Sequence, residues 1–109
     1  MTSTKCQKGD YMFINKTQNG IEKIAVLSDE NSGRTMEVYT DAIGVQFYAG
    51  NFLDGSFIGK KGVAHPQRSA FCFETQHYPD TPNQPSFPST LVRPEDTYKT
   101  TTVYKFGVK

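Results

Sequence analysis

The chain has 109 residues, a net charge of +1 and 21% charged residues. That length admits one small domain and not two. The near-neutral balance offers neither a basic field for nucleic acid nor an acidic interaction tail. No apolar run approaches the ~18 residues that a membrane-spanning helix needs. The first twenty residues hold Lys5, Lys8 and Asp10 and no apolar stretch of the secretory kind, so the expected compartment is the cytoplasm. Aromatic residues reach 13%, with six Tyr and eight Phe, and large rings supply core area from few positions.

Taken in chain order, the pattern is strand-like throughout. Tyr11-Met12-Phe13-Ile14 is a short apolar run, followed by the turn signal Asn19-Gly20. Ile21 to Leu27 mixes β-branched and apolar residues, and Asn31-Ser32-Gly33 ends it. Arg34 to Thr40 alternates, with Met36 and Val38 on one face and Glu37 and Tyr39 on the other. Gly44 to Tyr48 is a further strand closed by Gly50, and Asp54-Gly55 is a turn. Ser69 to Gln76 and Thr97 to Phe106 complete the set, the last rich in Thr, Tyr and Val.

No 3.6-residue apolar stripe persists over three turns, so no long helix is expected. Prolines at 79, 82, 85, 88 and 94 exclude a central strand between the last two segments. Phe87, Leu91 and Val92 within that stretch predict a loop that packs down. About six strands with short turns predict an all-β sandwich or part of one.

The segment Phe71-Cys72-Phe73-Glu74-Thr75-Gln76-His77-Tyr78 is the most unusual. Alternation puts Phe71, Phe73 and Thr75 on one face and Cys72, Glu74 and Gln76 on the other. A carboxylate flanked by two Phe is costly to bury as a charge, so Glu74 is either solvated or held in a site. A polyhydroxylated ligand would use Glu74 and Gln76 together. The simpler reading is a solvated sheet face. Gln46 and Asp10 have equally simple readings, as a polar strand face and a turn-former. Cys72, set between Phe71 and Phe73, reads as a packed thiol, and Cys6 and Cys72 lack metal-ligand spacing. An imidazole can serve as a general acid near neutral pH, but His77 reads as the cap of its strand, and His65 as a loop residue. No Ser/His/Asp set, metal cluster or dinucleotide fingerprint is present.

Longer motifs carry more than periodicity does. Gly44-Val45-Gln46-Phe47-Tyr48-Ala49-Gly50-Asn51-Phe52-Leu53-Asp54-Gly55 resembles a signature stretch of the aldose 1-epimerases. So do Phe71-Cys72-Phe73-Glu74-Thr75-Gln76-His77-Tyr78-Pro79-Asp80 and Pro82-Asn83-Gln84-Pro85. Ser32 to Thr40 fits the preceding strand, and Arg93-Pro94 with Thr101 to Phe106 fits the family's C-terminal end. The resemblance implies a single segment over residues 1–109, part of a galactose-mutarotase-like β-supersandwich, with residues 1–8 unmatched and expected to be disordered.

Its implied chemistry is interconversion of the α and β anomers of free aldohexoses such as galactose and glucose, with no cofactor. Glu74 matches the family's general base, Gln46 a glutamine that binds sugar hydroxyls, and Asp10 a sugar-binding aspartate. Flanking Phe71 and Phe73 would shield the base from water. Tyr11 stands where the family usually has His, which weakens the match around Asp10. Family members are much longer, and the acid histidine, a second sugar-binding histidine and an arginine belong to the part not matched. Two readings follow: an epimerase portion that needs the remaining part or self-association, and a non-catalytic sugar-binding remnant lacking the acid histidine.

Overall fold

The structure, a computed structural model, describes residues 11–13 and 20–109. Its elements are six strands: β1 (Tyr11–Phe13), β2 (Glu22–Ser28), β3 (Arg34–Thr40), β4 (Gly44–Tyr48), β5 (Cys72–Gln76) and β6 (Thr102–Val108). The only helical element among the described residues is a 3₁₀ turn over Thr81–Asn83. The fold is all-β, as the periodicity predicts. The expected disorder of residues 1–8 and the positions of Cys6 and Asp10 lie outside the described residues.

The strands form two three-stranded sheets, β1-β4-β5 and β2-β3-β6, with every pairing antiparallel. β2 and β3 are joined through Asp29, whose carboxylate accepts the Asn31 and Ser32 N–H groups and the Ser32 hydroxyl. Gly33 supplies the positive φ of 70° that the tight return requires. A register shift between Lys23 and Ala25 marks a bulge in β2.

Two predicted boundaries move for local reasons. β5 begins at Cys72 and not at Ser69, because Arg68 has φ 62° and the Ser69 N–H turns back to the Pro66 carbonyl. β6 begins at Thr102 and not at Thr97, because the Asp41 carboxylate captures the Thr100 hydroxyl and the Thr101 N–H, both at 2.8 Å. The proline-rich stretch is only partly packed down. Phe87 meets Tyr78 edge-on at 5.1 Å, but Leu91 is 72% exposed.

The core lies between the sheets and is thin. Val38, Val45 and Phe73 are its buried apolar side chains, with Ile24, Ala25, Leu27, Met36 and Phe47 packed around them. Alternation on β3 falls as predicted: Val38 and Met36 face this core. On the opposite face the Tyr39 hydroxyl donates to Glu37 at 2.7 Å. Lys23 and Lys105 approach the same carboxylate at 3.1 and 3.6 Å.

A chain of hydroxyls extends the core where apolar packing runs out. Thr40 is fully buried, and its hydroxyl donates to the Thr101 carbonyl at 3.1 Å. Each hydroxyl has one hydrogen, so Thr102 donates to Thr40 at 3.1 Å and Thr75 to Thr102 at 2.6 Å. Thr40 also accepts the Ala42 N–H. This relay, with the Tyr104 hydroxyl donating to the Phe73 carbonyl at 2.9 Å, ties β5 to the opposite sheet.

Replacing Thr40 by Val keeps the shape and leaves the Ala42 N–H and the Thr102 hydroxyl without their acceptor. The expected cost is about 1–3 kcal/mol, read as a lower urea midpoint.

Acid should also weaken the fold. The Tyr39 hydroxyl, followed by Lys23, holds the Glu37 carboxyl below its usual range. Hydrogen bonds from Ser32, Ser56 and Asn83 do the same for Asp29, Asp54 and Asp80. Groups depressed in the folded state add stability that is full above their unfolded values, about pH 4, and is lost as pH falls through the folded ones. The denaturation midpoint is expected to drop below about pH 4, and less steeply in Glu37→Gln.

Candidate functional site

The β4–β5 ladder builds the site. Its register pairs Gly44 with Gln76, Gln46 with Glu74, and Tyr48 with Cys72. Residues opposite one another share a face, with Cβ atoms about 4.5–5.5 Å apart. Val45, Phe47, Phe73 and Thr75 take the core face. Gln46 and Glu74 therefore stand side by side on the other face, where Glu74 is exposed and Gln46 half-buried.

Two candidate residues from the sequence are thus brought together. Asp10 lies outside the described residues. Its neighbour Tyr11 is the register partner of Gln46 across β1 and β4.

Two details of the sequence reading need correction. Phe71 and Phe73 do not shield Glu74: their rings pack on Phe47 at 6.4 and 5.0 Å, on the core face. Adjacent strand residues point to opposite faces, so sequence neighbours of a strand carboxylate do not wall it. For the same reason Cys72 is an exposed free thiol and not a packed one.

His77 follows β5 out of phase with Glu74, and its ring lies against Tyr98 at 5.9 Å. The His65 ring lies over the α-carbon of Gly59, where an added Cβ would come within 2.4 Å of it. Among the described residues no three His, Cys, Asp or Glu side chains converge as a metal site. Nor is any helix long and apolar enough to cross a membrane.

Aromatic groups that sequence reasoning missed flank the pair. Tyr48 shares the face of Gln46 two residues on and stacks with Phe52, centroids 6.3 Å apart and planes at 12°. The Phe52 N–H donates to the Tyr48 hydroxyl at 3.1 Å. At the other end the Tyr78 ring lies over Gly44, where a Cβ would be 2.9 Å from Tyr78 Cδ1. The glycine that opens β4 was the available signal, since a missing Cβ inside a strand marks close approach of another group.

The loop carrying Phe52 is pinned at Gly50. Its carbonyl accepts the Leu53 and Arg68 N–H groups, at 3.2 and 3.0 Å. Gln67 and Arg68 side chains hold Asn51 from the far side. Gly50 has φ 67°, and a Cβ there would stand 2.7 Å from the Ala70 carbonyl oxygen.

A family profile described as aldose 1-epimerase matches residues 4–105. The chain is 57% identical over 77 residues to the galactose mutarotase of Homo sapiens, covering 71% of this chain and 22% of that protein. It is 48% identical over 99 residues to the galactose mutarotase of Rattus norvegicus, covering 91% of this chain and 29% of that protein. An aldose 1-epimerase of Escherichia coli (strain K12) is 30% identical over 101 residues, 89% of this chain and 29% of that enzyme. The chain belongs to the aldose 1-epimerase family. It spans less than a third of the length of the curated relatives it matches.

Substitution of Gly50 by Ala adds both backbone strain and a clash with Ala70. A loss of about 1–3 kcal/mol is expected by chemical denaturation.

Proposed function

We propose that this chain is the base-bearing portion of an aldose 1-epimerase that interconverts the α and β anomers of free aldohexoses such as galactose and glucose in the cytoplasm. The observation that carries the reading is the pairing of Gln46 with Glu74 on an open sheet face. It falls in a chain whose relatives are named galactose mutarotase and aldose 1-epimerase.

Glu74 is the general base. A carboxylate on a rigid strand, open on its functional side, can accept the proton of the anomeric hydroxyl. The ring C–O bond breaks as the ring oxygen takes a proton from an acid, giving the open-chain aldehyde. Rotation about the C1–C2 bond presents the other carbonyl face. The ring hydroxyl then attacks and the two protons return. Gln46 supplies both an amide donor and a carbonyl acceptor, which suits a neighbouring sugar hydroxyl. Asp10 has the same task in this reading. The acid is a histidine from the part of the family's length that this chain does not span.

Polarimetry of freshly dissolved α-galactose tests the proposal. The chain is assayed alone and with the remaining length of a mutarotase relative added as a separate polypeptide. Acceleration is expected in the mixture. Glu74→Gln should lower kcat by about 10²–10⁴-fold with a smaller change in KM, since the base acts in the chemical step. Near-normal turnover in that variant overturns the assignment. No acceleration in either arm favours a non-catalytic sugar-binding remnant.

A further inference from the structure

A strand that ends a sheet offers its outer backbone groups to another chain unless something guards them. The edges at β2 and β5 have guards. β2 is bent by its bulge between Lys23 and Ala25, and the Phe73 carbonyl of β5 is taken by the Tyr104 hydroxyl at 2.9 Å. β6 has neither device. It pairs with β3 in unbroken register from Thr102 to Val108, with no bulge and no proline. Its one charged side chain, Lys105, is drawn to Glu37 of its own sheet at 3.6 Å. The ladder bonds fix which backbone groups of β6 face outward. The Asp41 N–H donates to the Thr101 carbonyl, and the Lys109 N–H to the Gly33 carbonyl. Antiparallel pairs alternate between bonded and non-bonded ones, so the odd-numbered residues of β6 bond to β3. The N–H and C=O groups of Tyr104, Phe106 and Val108 therefore point away from it. Their side chains share the face toward the other sheet, where Tyr104 reaches Phe73. Past Tyr104 that face is open: Phe106 is 74% and Val108 75% exposed. Phe106 also rims a cleft lined by Leu27, Met36 and Phe71.

We propose that this edge pairs with β6 of a second copy of the chain, antiparallel about a two-fold axis at Phe106. The strand is complementary to itself in that one register. Tyr104 then stands opposite the partner's Val108 and Phe106 opposite the partner's Phe106, and such apolar cross-strand pairs stabilise a sheet. On the other face Lys105 meets the partner's Gly107, so no two lysines stand directly opposed. An axis at Lys105 would set the two ammonium groups face to face, which is unfavourable. An axis at Tyr104 would carry Val108 beyond the end of the partner's strand. The net charge of +1 gives two copies little reason to repel. The product is one continuous sheet in the order β2-β3-β6-β6-β3-β2, with Phe106 and Val108 covered on both chains. A single strand pair buries less than a standard interface, so the dimer is weak and reversible. The proposal uses only β6 and its neighbours and does not rest on the epimerase reading.

Sedimentation equilibrium of the 109-residue chain from about 10 to 500 μM tests the pairing, and the apparent mass is expected to rise about twofold over that range. Phe106→Lys and Phe106→Glu each place like charges opposite one another at the axis. Each variant alone is expected to stay monomeric, and an equimolar mixture of the two to associate. Phe106 is solvent-exposed, so neither change disturbs the core. Hydrogen exchange on the wild type gives a second readout that needs no variant. The amides of Tyr104, Phe106 and Val108 should exchange more slowly as the chain is concentrated. Those of Val103, Lys105 and Gly107, bonded to β3, should be protected throughout. A wild type that stays monomeric to about 500 μM overturns the proposal, as does association unchanged in either variant or a mixture no more associated than its components. Protection of the Phe106 and Val108 amides only when the remaining length of a mutarotase relative is added gives the edge to that part, and also overturns it.

Discussion

The antiparallel pairing of β4 with β5 is the constraint on which the rest depends. One ladder does two jobs because successive side chains alternate between faces. Val45, Phe47, Phe73 and Thr75 go inward, and Gln46 and Glu74 go outward as direct neighbours. A slip of one residue in β5 would send Glu74 toward Phe47 and the core and bring Phe73 to the surface. The cost of burying an unpaired carboxylate together with the loss of the Phe73 contacts excludes that arrangement. Core packing and site geometry are therefore set by the same choice of register.

The pairing alone would not hold β5 in place, since it is an edge strand of its sheet. Behind it only three apolar side chains are buried among the described residues. Polar groups supply the rest of the tie. The Thr75–Thr102–Thr40 hydroxyl relay and the Tyr104 bond to the Phe73 carbonyl cross the gap between the sheets. Hydroxyls suit this position because each is satisfied within the relay, so burial leaves none without a partner. Directional bonds of this kind also fix the height of β5 against β6, which a small apolar contact does not. The strand bearing the proposed base is thus anchored from its back.

The candidate site divides into a floor and its surroundings, and these differ in how they are built. The floor is regular ladder geometry. The surroundings come from irregular segments that return to the sheet: residues 49–55, pinned through Gly50, and the 78–87 turn, where Phe87 braces Tyr78. In the turn, Asp80 takes φ 59° and accepts from the Asn83 and Gln84 side chains, at 2.6 and 3.0 Å. These loops bring aromatic surface to a polar pair, the composition that small-molecule sites commonly use.

Much of this was determined by the sequence itself. Period-2 alternation marked β3 and β4 to the residue, and turn residues marked the β2–β3 return. The motifs around Gln46 and Glu74 carried the family. What the sequence misjudged was local shielding: Phe71 and Phe73 look like neighbours of Glu74 but lie on the other side of the sheet. The ends of β5 and β6 were also beyond it, because they depend on Arg68 turning the chain and on Asp41 capturing Thr100 and Thr101 from 59 and 60 residues away. Only tertiary structure set Glu74 beside Gln46, 28 positions earlier, and Tyr78 over Gly44. Periodicity records which face a residue takes, but which distant strand shares that face is decided by pairing and packing, and these are not local properties of the chain.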